Sequence, residues 1–276
     1  MVLTSAEYGC TFNILSEFPL PKRLLRQAGR SVYDFSTKKE IVTLKLYIMP
    51  VRKRASAMTV VEQNRFKRVM TQLINQPGNP NLFGKFVGIH AEDHMMHPFM
   101  GPVGTQRFLP WHRVYLLKLE KRGRAIDPLF FIPYWRWTQD RDVPSWLKNF
   151  KPTVKVVGPD ITVTRNPSAP PALPTSAQIS SLMGIGSFTN FVFGIDPPHG
   201  VVHVWCHGTM SNVPTAPADP LFWLHHAMID KIWAEWQVAH PGINPSLNGA
   251  NRIMDPWPET EAQVRSIGAL GYSYGP

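Results

Sequence analysis

Nine of the ten histidines in this 276-residue chain lie in two stretches, and these stretches limit the possible folds more than any other feature. The first contains His90, His94, His97 and His112, and the second contains His199, His203, His207, His225 and His226. Imidazole suits copper and zinc, and buried imidazoles each need a polar partner. The two clusters therefore predict a fold that assembles a pair of three-histidine metal sites.

The spacing within each cluster fits binding of a metal from a helix. His199 and His203 are four residues apart, as are His90 and His94, so each pair projects from one helix face about one turn apart. His97, seven residues after His90, would add a third ring to the same face. Packing in an ordinary core accounts for one or two such histidines but not for both clusters.

The residues that are missing around these histidines indicate which metal is bound. Di-iron and di-manganese bundles use a Glu-x-x-His motif, and no glutamate in this chain has a histidine three residues later. Structural zinc usually has four ligands that include thiolates, whereas Cys206 lies near one cluster and Cys10 lies near neither. Sites of three imidazoles leave positions open for a small molecule, so copper is favoured, with zinc as the second choice.

Composition excludes other classes of protein. The chain has no run of eighteen apolar residues, so no membrane span is expected. Residues 1–75 hold thirteen of the basic residues against five acids, but no nucleic-acid-binding motif accompanies this charge. We interpret it as a basic surface and expect neither a nucleic acid nor a membrane as partner. The first residues lack the regions of a secretory leader, which favours a cytoplasmic location; secretion with a partner or after trimming stays open, as does the oligomeric state.

Hydrophobic periodicity predicts a mainly α fold, a helical bundle whose four-helix core carries the metal sites, with long loops and a few short strands. The predicted elements are a strand over 41–49, helices over 58–74, 80–96 and 110–122, and a short helix over 199–207 that breaks at Gly208. Asp219 as N-cap and Pro220 at the first helical position predict a last long helix through Trp236.

Seven prolines between residues 143 and 176 predict a long surface excursion, since proline interrupts regular helix. We therefore expect an N-terminal extension over 1–50 that packs on the core, and one metal-binding catalytic domain over 51–276.

Five stretches and a closing tyrosine pair resemble one known family. They are Lys85–His90, Phe108-Leu-Pro-Trp-His-Arg113, Ile132–Thr138, His199-Gly-Val-Val-His203-Val-Trp, Pro214–Ala227 with its Asp-Pro-Leu-Phe-Trp-Leu-His-His sequence, and Tyr272-Ser-Tyr274. Over about residues 50–274 the chain resembles the tyrosinases (polyphenol oxidases), which belong with catechol oxidases and hemocyanins to the type-3 dicopper family. It is most similar to the short bacterial type without a C-terminal lid domain.

This resemblance implies two copper ions and O2 as co-substrate. One copper would be held by His90, His112 and a histidine between them, and the other by His199, His203 and His226. The implied activity is oxidation of o-diphenols to o-quinones, with monooxygenase action on monophenols such as tyrosine, and hence melanin formation, as a further possibility. An o-aminophenol or specialised phenol oxidase is the open alternative, and a hemocyanin-like O2 carrier is another.

The first copper site departs from the family pattern. The family places the second ligand about nine residues before the histidine of the Trp-His pair, and Val103 occupies that position here. His97 or His94 must therefore supply the ligand across a longer loop over 98–106. We expect His97, which lies nearest to this loop, and keep His94 as the alternative.

A second departure is Gly200, which follows the first histidine of the second site. Many tyrosinases that hydroxylate monophenols have asparagine there, and together with an upstream acid it is thought to hold a water that deprotonates the phenol. Asn190 and Asp196 are the candidates for the acid's place, and neither matches it. Loss of a general base slows a step by about 10²–10⁴-fold, so diphenol oxidation is the safer prediction.

Residues around the metals follow from the same motifs. His225 and His226 point about 100° apart on a helix, so one of them reaches the metal; the family pattern selects His226 and leaves His225 to pack beside it. Asp230, one turn later, is expected to pair with Arg113. Phe108 and Phe222 are expected to wall the copper pocket. The positions expected to contact substrate are Val213 in the gate-like loop 210–217, Gly200, Val204 and Asn190.

Overall fold

A computed structural model of the chain describes three strands before residue 46, and residues 49–276 apart from 93, 95 and 169. The chain forms two units, Met1–Met49 and Pro50–Pro276. The first unit contains an antiparallel sheet of β1 (Thr11–Ile14), β2 (Ser31–Asp34) and β3 (Lys39–Lys45), in the order β1-β3-β2. β3 overlaps the strand predicted over 41–49, of which residues 46–48 lie outside the described part, as does Cys10. Packing of residues 1–50 on the core stays a prediction.

Helix α1 (Val60–Ile74) opens the helical unit almost where the periodicity predicts it. It begins at Thr59, whose side chain accepts from the backbone N–H of Glu62 while the Glu62 carboxylate accepts from the backbone N–H of Thr59. This capping box satisfies two amide groups that would otherwise lack partners. The apolar face of α1 buries Phe66 and Val69 among other residues.

Helix α2 (Leu82–Ala91) is shorter than predicted, and the expected helix over 80–96 is wrong beyond Ala91. Glu92 adopts an extended conformation, and so does His97, which precedes Pro98. A residue before proline is disfavoured in helical geometry because its backbone would clash with the proline ring. His94 and His97 therefore lie on a loop rather than on the helix face that carries His90.

Helix α3 (Pro102–Ile126) begins eight residues before the predicted start at Pro110. Gly101 has φ of 90°, and Pro102 follows it at the first helical position, where its missing N–H costs nothing. Pro110 lies inside the helix, where proline costs about 3 kcal/mol because a hydrogen bond is lost. Burial of the neighbouring Leu109 and Trp111 offsets this cost.

Two further helices carry the second histidine cluster. After the short α4 (Ser176–Leu182), α5 (Phe188–Cys206) is longer than the predicted 199–207 and contains Pro197 and Pro198. Helix α6 (Pro220–Ala239) has the predicted Asp219 cap, whose carboxylate accepts from the backbone N–H of Leu221 at 2.8 Å.

The segment over 143–176 is more ordered than a surface excursion, so that prediction is wrong in part. It contains β5 (Thr153–Val154) paired antiparallel with β6 (Ile161–Thr162). Leu147, Val154, Val163 and Leu173 are buried. Proline prevents helix here, but the alternating apolar residues between the prolines still pack onto the helices.

Helix α3 lies at the centre of the unit and packs against α1, α5 and α6. A parallel pair of β4 (Val51–Arg52) and β7 (Ser273–Tyr274) brings the two ends of this unit together. The mainly α, bundle-like fold predicted from the sequence is thereby confirmed. Within the described residues, no helix combines the length and apolar character needed to span a bilayer.

Candidate metal centre

Three imidazoles from α2, α3 and the loop between them form the first triad, His90, His97 and His112. The ring centroid of His90 lies 5.2 Å from that of His97 and 5.6 Å from that of His112, and the rings of His97 and His112 are also 5.6 Å apart. His90 ends α2 and His112 lies in the middle of α3. All three side chains are buried.

The second triad is His199 and His203 of α5 with His226 of α6. Their ring centroids are 4.8–5.5 Å apart. The Nε2 atoms of His203 and His226 lie 3.3 Å apart. Two imidazole nitrogens that share one ion at about 2.0 Å in a tetrahedral site have about this separation, so the geometry fits a metal.

The two triads form one continuous cluster. The rings of His112 and His226 stack at 4.4 Å with an interplanar angle of 11°. Phe222 packs on His226 and His90, with ring centroids 4.1 Å and 5.0 Å away, and Phe108 packs 4.9 Å from His199. These two phenylalanines, expected to wall the pocket, lie between imidazoles of both triads. Two metals held by the triads would share one site.

Backbone carbonyls fix the tautomers of three imidazoles. The Nδ1–H groups of His90, His112 and His203 donate to the carbonyl oxygens of Val213, Phe108 and Met210 at 3.0, 2.8 and 2.8 Å, respectively. A carbonyl can only accept, so the proton lies on Nδ1 and the lone pair on Nε2. This second hydrogen bond is the usual way in which a protein orients a metal-binding histidine.

Most of the nitrogens that would face a metal have no partner among the described residues. The Nε2 atoms of His90, His97, His112 and His199 are buried and make no hydrogen bond. Leaving a buried polar atom without a partner costs about 1–3 kcal/mol each. Because the donor set is imidazole alone among the described residues, the triads fit copper and not a carboxylate-bridged di-iron site.

His225 also lies in the second cluster, where its ligand nitrogen is within 4.8 Å of those of His199, His203 and His226. Its Nδ1 accepts the indole N–H of Trp137 at 3.1 Å. An indole N–H can only donate, so the neutral ring of His225 carries its proton on Nε2 and has no second lone pair for a metal. No such hydrogen bond restricts His226, the ligand that the family pattern selects, and its role as a ligand stays a prediction.

Burial favours the neutral form of five of the six triad imidazoles. Desolvation, reinforced by the neighbouring imidazoles, lowers the pKa of His90, His112 and His226 well below the ordinary value. The same causes lower the pKa of His97 to about 4 and that of His203 to about 3. Metal binding requires the neutral form, so no imidazole whose pKa is lowered here needs to lose a proton before it binds a metal at neutral pH.

His94, the alternative ligand, lies apart from the first triad. Its Nδ1 is 2.9 Å from an Asp255 carboxylate oxygen, and its Nε2 is 3.2 Å from a Glu92 carboxylate oxygen. The ring stacks on Trp111 at 5.9 Å. The structure therefore brings His97, and not His94, to His90 and His112.

A buried ionic network joins the helices behind the centre. The guanidinium of Arg113 donates to Asp230 with a 2.5 Å distance, which is the expected pair. Arg52 reaches the same carboxylate at 3.2 Å, and the hydroxyls of Tyr272 and Tyr274 donate to it at 2.6 Å each. The network therefore holds α6, which carries His226, against α3, which carries His112.

The positions expected to contact substrate are exposed or border open space, and their role stays a prediction. The Val204 and Val213 side chains are 46% and 43% exposed. A Cβ on Gly200 would meet no atom within 4 Å. Asn190 is exposed near the start of α5, and Asp196 lies closer, with a carboxylate oxygen 3.4 Å from Nδ1 of His199.

Several residues of the site were missed in the sequence. Trp137 lies within the family-like stretch over 132–138, which could have indicated its role beside His225. Phe99 stacks on His97 at 4.9 Å while 72% exposed, and no periodic pattern marks it. Cys206 is buried, and desolvation raises the pKa of its thiol, so the thiol is protonated at neutral pH.

Comparison with known proteins identifies the family. The sequence model of the common central domain of tyrosinase matches residues 80–177 and 175–239. The chain belongs to the tyrosinase family. It is 30% identical over 262 residues to a tyrosinase of Streptomyces glaucescens, covering 77% of this chain and 94% of that relative.

Solved structures agree with the fold. A functional unit of octopus hemocyanin superposes with a TM-score of 0.68 and 22% identity, covering 82% of this chain and 68% of that one. A tyrosinase from Burkholderia thailandensis gives 0.63 and 18%, covering 82% and 74%. Membership of the family confirms the predictions of a copper-dependent phenol oxidase that uses O2.

Proposed function

We propose that this protein oxidises o-diphenols to o-quinones with O2, using one copper held by the first triad and one by the second. The observation that carries the proposal is the contact between two imidazole triads in which four of the Nε2 atoms are buried without a hydrogen-bond partner. Each diphenol gives up two electrons and two protons, so two diphenols reduce one O2 to two waters. A bound copper pair supplies the redox chemistry of this exchange.

The chain's own residues orient and shield the reacting groups. Carbonyls of Val213, Phe108 and Met210 hold three imidazoles with Nε2 directed inward. Phe108 and Phe222, both with no exposed surface, exclude water from one side of the cluster. The exposed Val204 and Val213 offer an apolar approach for a phenol ring on the other side. Small phenols and O2 are the proposed partners; the cytoplasmic location stays a prediction.

Diphenols are proposed as the better substrates because the general base for monophenols is incomplete. Gly200 has no side chain to hold a water, and Asn190 is exposed and cannot ionise. A catechol ionises more easily than a monophenol and depends less on such a base. We therefore expect monophenol turnover to be slower by about 10²–10⁴-fold.

The test pairs a copper assay with O2 uptake on 4-tert-butylcatechol, L-tyrosine and o-aminophenol. Two coppers per chain with rapid catechol turnover support the proposal, and comparable turnover of tyrosine would contradict the proposed substrate preference. Faster turnover of o-aminophenol would point to the specialised oxidase instead. A chain that binds no copper would overturn the proposed function.

A matched pair of variants identifies the source of the activity. His203→Ala removes a proposed ligand, whereas His207→Ala removes a neighbouring histidine whose Nε2 bonds to the Ser168 hydroxyl at 2.9 Å. We expect His203→Ala to lose copper and activity and His207→Ala to retain both. A protein with two coppers that binds O2 reversibly without turnover would instead be a carrier.

A further inference from the structure

The first triad contains one ligand that no helix holds. His90 and His112 lie on α2 and α3, whereas His97 lies between these helices, on the described residues of the stretch 92–101, which we call the His97 loop. The described Met96 and Pro98 of this loop are buried. Because a ligand on a loop has more conformational freedom than one on a helix, something must hold this loop for the first triad to keep its geometry.

Asp255 contacts both the His97 loop and helix α3, which follows it. One carboxylate oxygen lies 2.9 Å from Nδ1 of His94 in the loop, and the other accepts from the guanidinium of Arg107 on α3. The backbone carbonyl of Asp255 also accepts the indole N–H of Trp111, the residue before His112, at 2.7 Å. Asp255 thus links the His97 loop directly to the helix that carries His112.

The charge state of Asp255 suits this role. Partial desolvation opposes ionisation, but the hydrogen bonds from Arg107 and His94 outweigh it and lower the pKa of Asp255. A carboxylate can only accept, so Nδ1 of His94 donates its proton to it. The His94 ring stacks on Trp111 and so lies against α3.

Gly104, on the first turn of α3, brings the loop backbone into direct contact with that helix. A Cβ at this position would lie 2.0 Å from the carbonyl oxygen of His97. The same oxygen accepts from the backbone N–H of Met100 at 3.0 Å. His97 is therefore held at its backbone by Gly104, and its loop is held three residues earlier by the link between His94 and Asp255.

We propose that Asp255 is a positioning residue which, through His94 and Arg107, holds His97 in place as a ligand of the first copper. This inference rests on the proposed function. Asp255 and His94 touch neither metal nor substrate in this role. The first copper should therefore become labile when the link is broken, while the second copper stays bound.

The experiment measures copper per chain and the rate of copper removal by a chelator such as bathocuproine with reductant. Residues that orient metal ligands usually change metal affinity by about 10–100-fold, so Asp255→Ala should release one of the two coppers about that much faster. A His203→Ala, His226→Ala background retains only the first triad and shows that the affected copper is the first one. Glu259→Ala, which breaks the ion pair with Lys118 in the same segment, is the matched control.

Variants of His94 separate positioning from ligation. The amide nitrogen of asparagine can replace Nδ1 of histidine as donor to Asp255, so His94→Asn should retain copper while His94→Ala behaves like Asp255→Ala. Loss of copper from His94→Asn as complete as from His97→Ala would make His94 a ligand and overturn the proposal. Unchanged release from Asp255→Ala would overturn it too, whereas a wild-type protein without copper would refute the proposed function itself. The unfolding midpoint of the copper-free variants reports any general loss of stability.

Discussion

Replacing Asp230 by asparagine should destabilise the helical unit far more than the same change at a surface aspartate. The Asp230 carboxylate is 3% exposed and accepts from Arg113, Arg52, Tyr272 and Tyr274. The amide keeps the size of the side chain but removes its charge and turns one acceptor into a donor. That donor would then face groups that can only donate or that are already hydrogen-bonded as donors.

The loss of unfolding free energy in Asp230→Asn depends on which acceptors Arg52 and Arg113 keep. Arg52 keeps the Glu120 carboxylate at 2.9 Å, so it is still paired after the change. Arg113, fully buried, keeps only neutral acceptors such as the Gln237 amide oxygen at 3.0 Å. Removing one partner from a buried ion pair costs about 3–5 kcal/mol. At about 2–4 °C for each kcal/mol in a domain of this size, the melting midpoint should fall by roughly 6–20 °C.

The assay is thermal unfolding of the copper-free protein, so that metal loss does not contribute. Asp142→Asn is the control, because Asp142 pairs with Lys148 at the surface with its side chain 61% exposed. Exposed pairs contribute about 0–1 kcal/mol. If Asp230→Asn were as mild as Asp142→Asn, the view that this buried charge fixes α6 against α3 would be refuted.

Three further outcomes follow from the geometry. Gly200→Asn should raise the ratio of tyrosine to catechol turnover and leave copper content unchanged, since the added side chain meets open space. Gly200→Ala is the control. Equal turnover ratios for the two variants would contradict the role of the asparagine amide. Trp137→Phe should cost about 1–3 kcal/mol because Nδ1 of His225 loses its donor, while the copper assay still gives two ions; loss of one ion would make His225 a ligand. Desolvation opposes ionisation of Asp230, but its arginine and tyrosine partners outweigh this and lower its pKa. Its stabilising contribution is therefore complete above the unfolded value of about 3.9 and declines as pH falls below it; the melting midpoint should drop less steeply in acid for Asp230→Asn than for wild type.

The sequence alone predicts those features of the fold and site that depend on neighbouring residues in the chain. Asp219 and Pro220 mark the start of α6, and the His199–His203 spacing needs one helical turn and nothing more. The pair of Arg113 and Asp230 was also accessible, because Arg113 is adjacent to His112 of the first cluster and Asp230 lies one turn after His226 of the second.

Prolines explain the helices whose limits were misjudged. Pro110 indicated a helix start, yet α3 continues through it, and Pro197 and Pro198 concealed the first half of α5. In both helices, burial of the flanking apolar residues outweighs a local preference. The signal was present in α5, where Phe188, Phe191, Val192 and Ile195 recur at helical spacing and are buried.

The loop ligand could not be derived from spacing. His97 was placed on a helix face with His90, but it reaches the first triad from an extended backbone next to Pro98. His94 instead contacts Asp255, which lies 161 residues later in the chain. Contacts over such separations, like the choice of tautomer by a carbonyl, require the folded chain.

The hydrogen bond between Arg52 and Tyr274 can form only late in the synthesis of the chain. These two residues hydrogen-bond across 222 positions of the chain. At about 5–20 residues per second, a ribosome needs roughly 10–45 s to synthesise the stretch between them. Synthesis from His226 to Tyr274 takes roughly 2–10 s of this time. During this last part all six proposed copper ligands have been translated, but Arg52 and Asp230 still lack the hydroxyl of Tyr274. Newly made chains therefore contain all six proposed ligands before the C-terminal tyrosines can complete the hydrogen bonds to Asp230.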